Sequence, residues 1–208
     1  RHDMTPYTEG TTFKIGYNYD TTENSITTLY NSPTIDNNGI NLDRSSNQYV
    51  DLGTTNLNGE HISISLWFNH SNTGNWSRLF DFGNGQGDDN ILLGINNTNL
   101  TTYSRRDGYS GSNGISYSTG LNTWYHVVWT FNKTAGTQNL FINGILQTSH
   151  TPSFFAPLLS RTKSYIGKPN WDSEDYFDGQ IKSLNIWQRA LQPNEIKQLY
   201  EKERTFNL

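Results

Sequence analysis

Short stretches in which apolar residues occupy every second position restrict the possible folds of this chain most strongly. The two clearest stretches are Ile62, Ile64, Leu66 and Phe68, and then Tyr125, Val127, Trp129 and Phe131. Successive side chains of a β-strand point to opposite faces, so this spacing predicts strands that each bury one face. A chain that repeats this pattern is predicted to be built from β-sheets rather than helices.

The remaining sequence continues the strand pattern and ends in one helix. Further strand signals, separated by turn-forming residues, fall at 49–53, 79–82, 91–95, 165–167 and 181–187. The strongest turn is Asn143-Gly144, because these residue types favour the positive φ angles of a type I′ hairpin. After Pro193, three apolar residues recur at helical spacing, which predicts a short C-terminal helix: Ile196, Leu199 and Tyr200.

Composition excludes several classes of partner. The chain has 208 residues, a formal net charge of −4 and no cysteine. It has no run of Lys or Arg, so nucleic acid is not a predicted partner. No window approaches the roughly 18 apolar residues of a spanning helix, so membrane insertion is not expected. The absence of cysteine excludes disulfides and thiolate zinc sites.

Six pieces of the sequence occur in an order and spacing that is specific for one fold. They are Gly39-Ile40-Asn41-Leu42 with Tyr49-Val50-Asp51-Leu52, Ile62–Phe68, Asn122–Val128, Leu140–Gly144, Ile166-Gly167, and the series Phe177-Asp178-Gly179-Gln180-Ile181, Trp187, Arg189-Ala190-Leu191, Pro193, Glu195-Ile196 and Leu199-Tyr200. This set resembles the laminin G-like and pentraxin jelly rolls of the concanavalin A-like lectin/glucanase superfamily. The resemblance implies an all-β fold: a two-sheet antiparallel jelly-roll sandwich with a short C-terminal helix.

The resemblance also suggests how the chain is organised. It covers residues 36–203, and residues 1–35 form a divergent N-terminal part. No linker or internal repeat interrupts the sequence, so residues 1–208 are predicted to form a single domain. The superfamily includes lectins, adhesion modules, calcium-dependent binders, glycoside hydrolases and polysaccharide lyases, so the fold by itself does not select a function.

Enzymatic activity is not predicted. Glycoside hydrolysis needs two carboxylates that flank the scissile bond, and related hydrolases carry them as a Glu-x-Asp-x-Glu or Glu-x-Asp-x-x-Glu run on one strand. The sequence has no such run. His126 is expected on the solvent-side face of a strand, where it has no catalytic partner.

One calcium ion is the only predicted cofactor. Calcium takes six to eight oxygen ligands, and two acidic loops could supply them. The candidate ligands are Asp88 and Asp89 in the first loop and Asp178 in the second. The resemblance places Asp178 near a superfamily calcium position, whereas the alternative for all three is a solvated Asp/Asn turn.

Aromatic residues beside polar groups in predicted loops are the candidate ligand-binding residues. Sugars stack on aromatic faces while amides, carboxylates and Arg bind their hydroxyls. The first cluster contains Trp171, Asp172 and Tyr176, and the second contains Tyr103, Arg105 and Arg106. Trp76 with Arg78 is a third candidate. The tryptophans in strand patterns are assigned to the core: Trp67, Trp124, Trp129 and Trp187.

We therefore predict non-catalytic recognition of a glycan or glycoprotein at loops on the rim of the sandwich. The module is expected on a surface or in adhesion, secreted or exposed on a cell or virion, with calcium as an assisting ion. The alternative is a structural or assembly module of an appendage or virion surface that binds no sugar. A glycan-active enzyme is the third and least favoured hypothesis. The oligomeric state is not predicted.

Overall fold

The computed structural model describes residues 10–12, 28–36, 38–107 and 113–204. These residues form seventeen strands, one 3₁₀ turn at Arg44–Ser46 and one α-helix, α1, at Pro193–Arg204. The strands are β1 (Gly10–Thr12), β2 (Thr28–Tyr30), β3 (Thr34–Asp36), β4 (Gly39–Leu42), β5 (Tyr49–Asp51), β6 (Thr55–Asn58), β7 (His61–His70), β8 (Gly74–Gly83), β9 (Ile91–Asn97), β10 (Asn99–Ser104), β11 (Asn113–Ser118), β12 (Tyr125–Asn132), β13 (Thr137–Ile142), β14 (Ile145–His150), β15 (Leu158–Arg161), β16 (Lys163–Ile166) and β17 (Gly179–Trp187).

The strands form two large antiparallel sheets that face each other. The eight-stranded sheet has the order β14-β13-β12-β7-β17-β4-β3, with β1 paired to β17. The seven-stranded sheet has the order β11-β10-β9-β8-β16-β5-β2, and β15 and β6 form a separate pair. The predicted two-sheet jelly roll with a C-terminal helix is confirmed. That residues 1–208 form a single domain stays a prediction.

The core lies between the two sheets and uses the residues that the alternation indicated. Ile62, Ile64, Leu66 and Phe68 of β7 are all buried in it, as are Val127 and the other inward side chains of β12. Burying such side chains contributes about 1.5–3 kcal/mol each to folding, which explains why the alternating pattern fixes the face that each strand buries.

Two turns show why particular residues occur where they do. Asn143 and Gly144 have φ angles of 51° and 77°, and they join β13 to β14 as the hairpin prediction requires. At Gly179, where β17 begins, φ is +143° and a Cβ atom would lie 2.1 Å from the carbonyl oxygen of Asn69. Only glycine fits this position, because the two backbones approach too closely for a side chain.

Helix α1 packs on the outer face of the eight-stranded sheet and not in the core. Ile196 and Leu199 pack with Val128, Phe141 and Trp187, which point away from the core. The assignment of all strand tryptophans to the core is therefore wrong for three of them. Trp129 is in the core, whereas Trp67 and Trp187 are buried on the outer face and Trp124 is half-buried beneath the ammonium of Lys182.

His126 lies on the outer face of its strand, as predicted, but it is not exposed to solvent there. It is fully buried because α1 covers it. Its ring stacks on Tyr200 and contacts the Trp67 ring at a tilt of 35°, and its Nε2 atom is 3.6 Å from a carboxylate oxygen of Glu203. That carboxylate also accepts a hydrogen bond of 2.7 Å from the Trp67 indole. The side chain is therefore part of the helix interface.

Candidate functional site

The outer face of the seven-stranded sheet carries a row of polar and aromatic side chains. Arg78 and Asp81 of β8 both point away from the core, while Leu79 and Phe80 between them enter it, because a shift of register between Arg78 and Phe80 interrupts the alternation. On β10, Tyr103 is the register partner of Leu92, and Leu92 is in turn the register partner of Asp81. The side chain of Tyr103 therefore points to the same outer face as that of Asp81. The segment 167–178, between β16 and β17, crosses this face and covers part of it.

Three half-exposed aromatic residues surround Arg78, and we call them the tryptophan cluster. Tyr103 contacts Trp76 edge to face at 5.9 Å and Trp171 at 6.5 Å between ring centres. The guanidinium carbon of Arg78 lies 5.4 Å from the ring centre of Trp76 and 5.3 Å from that of Trp171. These distances are within cation–π range, so the cation holds both indoles in place.

Arg78 is buried and pairs with two carboxylates. Its Nε donates to Asp81 at 3.3 Å, a second nitrogen contacts Glu174, and a third donates to the Trp76 carbonyl at 2.6 Å. Burial raises the pKa of Glu174 to about 7, against the opposing influence of Arg78. Burial also raises the pKa of Asp81, which accepts further hydrogen bonds from Asn90 and Asn170.

Trp76 has an unusual backbone conformation. Its φ angle is +54°, and the register of β8 against β9 shifts between Gly74 and Ser77. Left-handed backbone at a bulky residue costs of order 1–3 kcal/mol and often marks a functional position. The bulge distorts β8 at Trp76, whose side chain lies on the same outer face as that of Arg78.

The crossing segment is anchored to the sheet at its second half. The backbone nitrogen of Asn75 donates to the Asp175 carboxylate at 2.7 Å, and the Asp175 nitrogen donates back to the Asn75 carbonyl at 3.0 Å. Arg44 binds the Asp175 carboxylate at 3.3 Å and the Tyr176 carbonyl at 2.9 Å. These contacts fix Trp171 and Glu174 against β8.

A second group, the tyrosine cluster, lies on the same sheet face. The rings of Tyr30 and Tyr49 stack at 4.4 Å, and Tyr165 and Tyr176 contact Tyr49 edge to face. The ammonium of Lys168 lies 4.5 Å from the ring centres of both Tyr49 and Tyr165. Burial and neighbouring phenols raise the pKa of Tyr49 to about 12, so its hydroxyl stays protonated.

The structure brings some of the predicted binding residues together and separates others. Trp171 and Tyr103 belong to the tryptophan cluster and Tyr176 to the tyrosine cluster, while Asp172 is exposed between them. Arg105 and Arg106 follow β10 and lie beside the loop at residues 84–90, where the Arg105 guanidinium packs near Gly87. The third candidate pair, Trp76 with Arg78, joins Trp171 in one site.

The candidate calcium ligands are not gathered into one site. Asp89 accepts a hydrogen bond from the Asp107 nitrogen, and Asp88 belongs to the same turn. Asp178 lines a separate open cavity of about 480 Å³ with Asp43, whose carboxylate is already bound by Ser45 and Ser46. Among the described residues, no three His, Asp or Glu side chains form a metal-binding group. These residues do not fit a calcium ion as they stand, and the calcium prediction stays a prediction.

The sequence did not identify several residues of this face. Glu174 was considered only as part of the second acidic loop, and Tyr49 is far in sequence from Tyr165 and Lys168; only the sheet order brings β5, β8 and β16 side by side. The outward position of Tyr165 next to buried Ile166 was the available signal. The partnership of Arg78 with Glu174 spans 96 residues and has no sequence signal.

Comparison with known proteins identifies the family. A laminin G-type family model, described as the concanavalin A-like lectin/glucanases superfamily, matches residues 44–197, and the chain belongs to this family. A rat protein named sushi, von Willebrand factor type A, EGF and pentraxin domain-containing protein 1 is 26% identical over 149 residues. That match covers 66% of this chain and 4% of the rat protein.

Solved structures with the same fold include receptor-binding domains of botulinum neurotoxins. The receptor binding domain of the C/D mosaic serotype has a TM-score of 0.70 and 19% identity, over 92% of this chain and 50% of that one. The serotype D ligand binding domain, solved in complex with N-acetylneuraminic acid, also has a TM-score of 0.70 and 19% identity, over 92% of this chain and 50% of that one. At this identity the likeness establishes the fold, and the chain spans about half of each solved domain.

Within the described ranges, α1 is too short and too polar to cross a membrane, and no other helix qualifies.

Proposed function

We propose that this domain recognises a glycan or glycoprotein, without catalysis, on the outer face of its seven-stranded sheet. The binding surface consists of the tryptophan cluster and the tyrosine cluster, which we together call the aromatic face. Half-exposed indole and phenol rings offer stacking surfaces for sugar rings, while Asp172 and the tyrosine hydroxyls can bind sugar hydroxyls. We further propose a secreted or surface-exposed setting, in adhesion.

One observation carries this proposal: two tryptophans and a tyrosine remain half-exposed around a buried arginine. Trp76 occupies this face with a left-handed backbone, a conformation that is often found at functional positions. A neighbour of the same fold was solved with a sialic acid, which supports carbohydrate as the ligand class.

The arrangement of carboxylates supports a binding module over an enzyme. Asp81 and Glu174 lie on the aromatic face, but both contact Arg78, and Asp81 is completely buried. Two carboxylates that flank a glycosidic bond must both reach the substrate. We expect no release of reducing ends from a polysaccharide panel.

The proposal predicts separate effects of Trp171→Ala on binding and on stability. Removing an aromatic side chain that contacts the ligand should weaken glycan binding at least about tenfold, as truncation of aromatic hot-spot residues does at other interfaces. The measurement is calorimetry or interferometry with glycans that bind the unaltered protein on an array. Trp124→Ala is the matched control, because Trp124 is half-buried on the opposite sheet.

A different result would reassign Trp171. If this side chain only covers the sheet, its loss should lower the free energy of unfolding by about 2–4 kcal/mol, and binding should fall only as the fold does. If the folded protein binds no glycan on the array, a structural or assembly module becomes the better account.

Calcium dependence is tested separately. A calcium ion at 100 times its dissociation constant should stabilise the fold by about 2.7 kcal/mol. Thermal unfolding with calcium and with EDTA measures this directly. Identical melting curves, together with unchanged glycan binding, would contradict the calcium prediction and leave the glycan proposal intact.

A further inference from the structure

We propose that Glu174 occupies the place of a ligand carboxylate, and that the aromatic face accepts an acidic sugar whose carboxylate replaces Glu174 on Arg78. This inference rests on the proposed function and names the class of its ligand. It concerns sugars that carry a carboxylate, either sialic acids or uronic acids.

The charge balance around Arg78 is the first argument. Asp81 is a fully buried partner of the guanidinium, and Asn90 and Asn170 hold it in place as well. Glu174 is a second carboxylate on the same cation, so the site holds one carboxylate more than a single guanidinium charge can balance. A buried arginine with one carboxylate fixed within the sheet and a second one on a crossing loop resembles a carboxylate-binding site that is already filled.

The position of Glu174 is the second argument. It lies on the crossing segment, next to the two indoles that cover Arg78, and its side chain retains partial exposure to solvent. Asp81 reaches Arg78 from within the sheet, whereas Glu174 reaches it from the solvent side. A sugar stacked on Trp171 would present its own carboxylate from this same side.

The ease of exchange is the third argument. Burial raises the pKa of Glu174 to about 7, so near neutral pH part of its population is neutral and presents no charge to Arg78. The charged groups that act on Glu174 are Arg78 and Asp81 on β8. Asp172 and Asp175 lie within two residues of it on the segment itself. Asp175 is occupied by Arg44 and Asn75. A sugar carboxylate with an ordinary pKa remains ionised and competes better as Glu174 becomes neutral.

This exchange predicts a defined pH dependence. With a pKa of about 7, the neutral fraction of Glu174 rises about tenfold between pH 8 and pH 6. The apparent affinity for an acidic sugar should rise by up to the same factor, because it scales with the competent fraction. The affinity for a neutral sugar should not change over this range.

The experiment compares sialyllactose, a hyaluronan tetrasaccharide and neutral lactose at pH 6, 7 and 8. The unaltered protein should bind at least one acidic sugar more tightly at pH 6 than at pH 8. Glu174→Gln should bind that sugar tightly at every pH, because an amide does not titrate. Glu60→Gln is the matched control, since Glu60 pairs with Lys133 far from this face. Whether sialyllactose or the hyaluronan tetrasaccharide responds distinguishes the two sources of carboxylate.

Each outcome supports or overturns the proposal. Binding of lactose with equal strength, or a Glu174→Gln protein that behaves like the unaltered one, overturns this inference and leaves glycan recognition standing. Failure of every glycan on an array overturns the proposed function as well. Far-ultraviolet circular dichroism and thermal unfolding of each variant establish that it is folded.

Discussion

Arg161 shows how a single buried side chain can hold one end of the sandwich. Its guanidinium has no exposed surface and donates to backbone carbonyls of three segments: Asp89 at 2.8 Å, Leu57 at 2.9 Å, Pro157 at 3.3 Å and Leu159 at 3.4 Å. Burial lowers its pKa to about 10, so it remains charged at neutral pH. Arg161 therefore joins β6, β15 and the loop at 84–90.

Replacing Arg161 should destabilise the protein strongly. Arg161→Met keeps the apolar stem but leaves several buried carbonyl groups without a donor, and each costs about 1–3 kcal/mol. We expect the free energy of unfolding, measured with urea, to fall by at least about 3 kcal/mol. Lys133→Met, at an exposed ion pair, should change it by less than about 0.5 kcal/mol. Similar small losses in both variants would contradict this role.

At the scale of elements, α1 is fixed by polar contacts at both ends. At its start, the Glu195 side chain accepts from the backbone nitrogen of Gln192 at 2.7 Å and pairs with both terminal nitrogens of Arg189. At its end, Glu203 lies among Trp67, His126 and Asn185. The sequence predicted this helix from its apolar spacing, but the buried ionisable residues beneath it depend on pairing between distant strands.

Glu203 and His126 form a buried pair beneath α1 that makes the free energy of unfolding depend on pH. Burial raises the pKa of Glu203 from 4.5 to about 7 and lowers that of His126 from 6.5 to about 3. Because its pKa is raised, Glu203 contributes to the free energy of unfolding below pH 4.5, and this contribution is lost as the pH rises to 7. Because its pKa is lowered, His126 contributes to the free energy of unfolding above pH 6.5, and this contribution is lost as the pH falls to 3. Between pH 4.5 and 6.5 both the native and the unfolded chain hold one proton on this pair, so the two slopes cancel.

Glu203→Gln should remove one of the two opposing slopes. Only the His126 contribution then remains, so the variant should lose stability relative to the unaltered protein as the pH falls from 7 to 4.5. Urea unfolding over this range measures the difference. Glu201→Gln, on the exposed side of α1, should follow the unaltered protein in parallel. Parallel curves for Glu203→Gln as well would show that this pair does not titrate as described.

At the scale of the whole molecule, the sequence predicted the framework better than the site. The alternation at residues 62–68 and the Asn143-Gly144 turn depend only on local geometry. The buried face of β7 and the hairpin were therefore predicted correctly from them. The aromatic face depends on sheet order, which places β5, β8, β10 and β16 together across more than a hundred residues of chain. Trp171 and Tyr103 were found as loop and strand-end aromatics, but their meeting around Arg78 required the fold.

The central claim is that glycans bind the aromatic face, and the six tryptophan side chains allow a direct test. A glycan that binds on an array is titrated into ¹⁵N-labelled protein while the indole N–H signals are followed by nuclear magnetic resonance. We predict that the signals of Trp76 and Trp171 shift with ligand concentration, while those of Trp129 in the core and Trp187 beneath α1 stay in place. Shifts confined to Trp67 and Trp124, on the opposite sheet, would contradict the account.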